Sequence, residues 1–100
     1  MTHLLVVATN RFGVLARITA VVSSTGANIE TAAAYPVADS GVSIVHMRID
    51  ADSVMAERIR RKVGRLVEVI EARTDEEQSP LSVDMGRFMP APVQHLEQTA

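Results

Sequence analysis

A chain of 100 residues, 47% of them hydrophobic and with a formal net charge of −2, has material for one packed domain and is expected to lack room for a catalytic domain beside a regulatory one. It contains no cysteine, which excludes disulfides, thiolate metal sites and cysteine nucleophiles, and its slight acidity argues against nucleic-acid binding, which draws on clustered positive charge. No basic segment followed by a long apolar run opens the chain, and no stretch approaches the roughly 20 apolar residues that cross a bilayer, so a cytoplasmic location without membrane contact is expected.

From His3 to Thr9 the residues are nearly all apolar and rich in β-branched types, the pattern of a central strand buried on both faces. Asn10 to Gly13 interrupt it as a loop. Leu15, Ile18 and Val22, joined by Val14 and Val21, then form the apolar stripe of a helix that leaves Arg17, Thr19 and Ser23 outside. Gly26 is placed to end this helix in the left-handed conformation. Residues 27–36 favour a second strand, weakened by Ala32 to Ala34, and Pro36 assigns it to a sheet edge because proline donates nothing to a ladder. Asp39, Ser40 and Gly41 supply a turn.

Alternation from Val42 to Asp50 predicts a third strand, with Ser43, Val45, Met47 and Ile49 on one face and Val42, Ile44, His46 and Arg48 on the other. Asp52 or Ser53 can cap a second helix, whose stripe is Met55, Ile59 and Val63 and which Gly64 can close. Leu66 to Arg73 returns to strand character. The order β-α-β-β-α-β is that of an α+β, ferredoxin-like fold: a four-stranded antiparallel sheet with helices on one face and the other left to solvent or a partner. Residues 1–74 form this domain. Residues 75–100, with Pro80, Pro90 and Pro92, read as a C-terminal tail, flexible or packed on a dimer partner through Met85, Phe88, Met89 and Leu96.

Gly13 stands where a strand passes into a helix. The first helical turn leaves backbone N–H groups without intrahelical partners and carries partial positive charge, and glycine lets a small carboxylate approach closely. Spacing alone leaves two readings, a turn glycine with Asn10 as helix cap or a seat for an anion.

The segment Asn10-Arg11-Phe12-Gly13-Val14-Leu15-Ala16-Arg17, followed by Gly26-Ala27-Asn28-Ile29-Glu30 and by Gly64-Arg65-Leu66-Val67-Glu68-Val69-Ile70, resembles the signature of the ACT-domain family. It is most similar to the form found in the small, regulatory subunit of acetolactate synthase (acetohydroxyacid synthase), over roughly residues 3 to 74. The resemblance implies a homodimer of side-by-side sheets that binds a valine-like amino acid at its interface and modulates a catalytic subunit, with no catalytic residues or cofactor of its own. It places Asn10, Gly13, Val14, Leu15, Asn28 and Ile29 in the ligand site. Backbone N–H groups near Gly13 to Leu15 would take the α-carboxylate, the Asn28 amide would hold the α-amino or carboxylate group, and Leu15 and Ile29 would meet an aliphatic side chain. Phe12 stands where the family commonly has proline, and Ser43-Ile44 where the acetolactate synthase group often has Ser-Arg. A stand-alone ACT sensor serving another enzyme or a transcriptional response is the alternative.

Other constellations are weaker. His3, His46 and His95 show no metal-ligand spacing, and His46 reads as a sheet-face residue. Arg58, Arg60, Arg61, Lys62 and Arg65 read as a solvated helix face or as a docking surface for an acidic region of a catalytic subunit. Recognition of RNA on the sheet would use stacked aromatic residues, and only 3% of this chain is aromatic. An acylphosphatase-like hydrolase on the same fold would use an arginine-containing phosphate loop; Arg11 and Arg17 lie nearby, without the glycine-rich loop that activity needs.

Overall fold

The computed structural model describes residues 1–77; Met85, Phe88, Met89, His95 and Leu96 lie outside the described residues. The element order is β1 (Thr2–Thr9), α1 (Val14–Ser24), β2 (Asn28–Val37), β3 (Val42–Asp50), α2 (Ser53–Gly64) and β4 (Val69–Glu76). The four strands form one antiparallel sheet in the order β2-β3-β1-β4, the ferredoxin-like arrangement that the periodicities predict.

Each strand takes its place for a compositional reason. The apolar run of β1 and the alternating β3 occupy the centre, where both edges are hydrogen-bonded. The alanine-rich β2, which includes Pro36, lies at an edge, where a missing N–H costs least. Leu4, Val6 and Ala8 of β1 and Val45, Met47 and Ile49 of β3 face Val14, Ile18 and Val22 of α1 and Ile59 and Val63 of α2, and these residues form one buried cluster. Removal of this apolar surface from water is the main stabilising term, at about 25 cal/mol per Å² buried.

The helix ends match the sequence reading and the last strand does not. Helix α1 ends at Ser24 with Thr25 as its C-cap, and Gly26 takes φ 86° as expected. Gly64 is likewise the last residue of α2, with Arg65 as its C-cap in right-handed geometry. The last strand begins at Val69 and runs to Glu76, so Leu66, Val67 and Glu68 belong to the connection before it. A bulge where Val7 and Ala8 of β1 meet β4 breaks the alternation there and blurs the strand's start in sequence. Asp52 is the N-cap of α2, its carboxylate accepting the Met55 N–H at 2.8 Å.

The sheet face away from the helices is less open than its alternation suggests. His3 and His46 are both buried there. Their rings stack with centroids 5.1 Å apart, and Nδ1 of His3 lies 2.9 Å from Nε2 of His46. Beside them Arg48 donates two hydrogen bonds to Glu77, at 3.0 and 3.3 Å. No helix among the described residues is long and apolar enough to cross a membrane.

Candidate ligand site at the β1–α1 loop

The loop after β1 is held by its backbone before any side chain contributes. The Thr9 N–H donates to the Glu68 carbonyl at 2.9 Å, the Asn10 N–H to the Gly41 carbonyl at 2.8 Å, and the Arg11 N–H back to Thr9 at 2.9 Å. The turn into α1 is made at Gly13, the N-cap, with φ 80° and ψ 3°. That left-handed conformation is open to glycine and costs other L-residues roughly 1–2 kcal/mol. No side chain caps the helix, so Asn10 is not its cap. The Asn10 Oδ1 accepts a hydrogen bond from the Ser43 hydroxyl at 2.9 Å instead, which ties the loop to the start of β3.

This geometry sorts the amides of the first turn. The Val14 N–H is committed to the Arg11 carbonyl at 3.2 Å, and the Arg17 N–H to the Gly13 carbonyl at 3.0 Å. Between them the Leu15 and Ala16 amides precede the start of intrahelical bonding. They form the concentration of N–H dipoles that favours an anion.

The side chains divide in the same way. Val14 is 6% exposed and belongs to the core, so its side chain serves packing. Leu15 is half-buried at the edge of that core. Phe12 is fully exposed.

Two residues that the sequence reading left out of the site complete this corner. Arg17 donates from Nη2 to the Phe12 carbonyl at 3.2 Å and forms an ion pair with Glu68, whose side chain is 8% exposed. A Cβ added at Gly13 would lie 3.1 Å from Nη1 of Arg17. The guanidinium therefore borders the glycine directly and stands beside the open amides, its charge shared with the Glu68 carboxylate. Glu68 contributes twice, through its carbonyl to Thr9 and its carboxylate to Arg17, which locks the β1–α1 loop to the α2–β4 connection. In sequence Glu68 passes for the polar member of an alternating strand.

Asn28 and Ile29 are not brought together with this loop within one chain. Through the ladders, Thr9 lies level with Val42 and Val37, whereas Ile29 lies level with Ile49 and Thr2. At about 3.3 Å per residue, the strand steps between those levels amount to roughly 23 Å. Asn28 is exposed, and its Nδ2 donates to Glu30 at 3.0 Å. Ile29 is half-buried against the core. Among the described residues no group of three His, Cys, Asp or Glu is placed to hold a metal ion.

Comparisons with known proteins agree with this architecture. The model of the family described as the AHAS (acetohydroxyacid synthase) small subunit-like ACT domain matches residues 4–71. Among solved structures, the ACT domain of GTP pyrophosphokinase from Chlorobium tepidum is similar, with a TM-score of 0.62 at 19% identity, over 74% of this chain and 95% of that one. An uncharacterised protein of Thermotoga maritima matches with a TM-score of 0.60 at 18% identity, over 74% of this chain and 91% of that one. The C-terminal domain of the MgtC protein from Mycobacterium tuberculosis matches with a TM-score of 0.58 at 13% identity, over 82% of this chain and 92% of that one. At these identities the structural likenesses establish the fold alone. No curated protein matches the chain.

Proposed function

Because the chain belongs to the AHAS small subunit-like ACT domain family, a family of regulatory ligand-binding modules, we propose that it binds a branched-chain amino acid such as valine and thereby modulates an AHAS catalytic subunit. The observation that carries this reading is the Gly13 corner, where a left-handed glycine, the Leu15 and Ala16 amides and the Arg17 guanidinium converge. An α-carboxylate would accept from those amides, with Arg17 as a nearby counter-charge. The half-buried Leu15 would lie against the aliphatic side chain.

In this reading the site is shared between two copies. Asn28 and Ile29 sit at the far end of the sheet from their own loop, and β2 is an edge strand whose outer N–H and C=O groups have no ladder partner among the described residues. Antiparallel pairing of two β2 edges about a two-fold axis would bring the start of one β2 toward the loop end of the other subunit. Asn28 of the second copy would then present its amide, a donor and an acceptor, to the ligand's polar end, and Ile29 would add apolar contact. Small domains bury a limited share of their surface, so this pairing would also stabilise the fold.

Regulation follows from where the ligand would sit. A ligand between two subunits shifts activity only by binding one arrangement of the pair better than another. The loop it would touch is tied through Glu68 to the α2–β4 connection, so a change of loop position would reach α2. Calorimetric titration of the full chain with valine, leucine and isoleucine tests the reading. Saturable binding of at least one is expected, and silence for all three at millimolar concentration would reject this effector class.

A further inference from the structure

The outward face of α2 carries more positive charge than the fold uses. Val54, Arg58, Arg61 and Arg65 follow one another at helical spacings of four, three and four residues, which aligns them on one stripe. All four are exposed. With Ser53 and Glu57, the first three line an open depression of about 490 Å³.

Glu57 is the only acid in α2, and it is already engaged. Arg60 donates to its carboxylate at 2.9 and 2.5 Å and Arg61 at 3.3 Å, contacts that hold the Glu57 carboxyl down to about 2. One acid thus faces five basic residues over Ser53–Arg65, in a chain whose overall charge is −2. Attraction to the helix dipole accounts for Arg61 and Lys62 in the last turn. It does not account for Arg58, which lies in mid-helix and has no acidic partner among the described residues.

We propose that this stripe is a docking surface for an acidic segment of a partner protein, with Arg58, Arg61 and Arg65 meeting carboxylates and Val54, 79% exposed, meeting an apolar side chain at one end. Charge complementarity of this kind sets encounter rate and register. A protein partner fits better than a nucleic acid, because the stripe offers an apolar end and a carboxylate and no aromatic ring for base stacking. Identification of the partner as the AHAS catalytic subunit rests on the functional reading above.

The test measures association of the purified chain with the catalytic subunit of the same organism at low and high salt, alongside valine titration of each variant. Wild type is expected to associate, and to weaken about tenfold or more as salt rises from roughly 0.1 to 0.5 M. Arg58→Glu/Arg61→Glu is expected to lose about a hundredfold in affinity while it keeps its circular dichroism and its valine binding; Arg58→Lys/Arg61→Lys is expected to retain most of it. Equal association of wild type and the charge-reversed variant would overturn the docking surface and leave the functional reading standing. Valine binding without any association by wild type would overturn the partner, and the docking surface with it. Binding of wild type, but not of Arg58→Glu/Arg61→Glu, to a short single-stranded RNA in preference to the catalytic subunit would overturn the proposal in favour of a nucleic-acid surface.

Discussion

The guanidinium of Arg17, in the first turn of α1, is ion-paired with the buried carboxylate of Glu68 in the connection before β4. The pair is unequal, since the Arg17 side chain is 45% exposed and that of Glu68 only 8%. Water therefore screens one partner, and removal of Arg17 would strand a carboxylate that cannot reach solvent. Arg17→Leu should lower stability by roughly 1–3 kcal/mol, below the range for a fully buried pair. Arg17→Leu/Glu68→Leu should recover part of that loss, because no buried charge is then left unpaired. Urea denaturation of Arg17→Leu, Glu68→Leu and the double variant checks this; a double variant whose loss equals the sum of the two single losses would show that the residues do not interact.

Gly13 and Gly26 separate backbone strain from ligand access. Both adopt left-handed geometry, at φ 80° and 86°, but a Cβ at Gly26 meets nothing within 4 Å while one at Gly13 meets Arg17. Alanine at either position should cost about 1–2 kcal/mol from conformation alone. Only Gly13→Ala should also weaken effector binding, because it crowds the guanidinium beside the open amides. Thermal unfolding followed by titration with valine distinguishes the two effects; equal affinity in the two variants would move the ligand away from Gly13.

The His3–His46 pair makes the fold sensitive to acid. Burial, followed by the neighbouring His3, lowers the His46 pKa from 6.5 to about 4. His3 is also lowered, by burial first and by Arg48 and the N-terminus, against the opposing pull of Glu77 and Asp75. A depressed folded-state pKa means that the folded protein holds the proton less tightly than the unfolded chain does. The stabilisation is thus complete above pH 6.5 and is lost as pH falls toward 4. The loss from His46 is on the order of 2–3 kcal/mol at the low end of that window. Urea midpoints should stay level from pH 7.5 to about 6.5 and fall from there to about pH 4.5, and His46→Gln should flatten that fall. A midpoint independent of pH over that window would contradict the account.

Much of this was legible in sequence for reasons that particular residues make clear. The alternation of Val45, Met47 and Ile49 against His46 and Arg48 reports one buried face directly, and the stripe of Val14, Ile18 and Val22 does the same for α1. Pro36 marks an edge strand by chemistry alone. What stayed hidden depends on partners distant in the chain. Glu68 looks like a surface residue until its carboxylate is seen against Arg17. His3 and His46 carry no shared motif. Only the antiparallel register, which places Leu5 opposite His46 and His3 opposite Arg48, sets the two rings side by side. The expected site draws on loop and strand residues, and that one chain holds them at opposite ends of its sheet emerges from the register of three strands.

That separation gives the central claim its most direct measurement. Gly13→Asp should destroy the loop half of the site and Asn28→Ala the strand half, so neither variant alone should bind valine. In a mixed dimer one site joins the intact loop of one chain to the intact strand of the other, and the second site carries both lesions. Calorimetry on the two variants, denatured together and refolded as a mixture, should therefore recover valine binding at one site per mixed dimer. If the mixture stays silent although mixed dimers form and wild type binds, the ligand does not lie between the loop of one subunit and the second strand of the other.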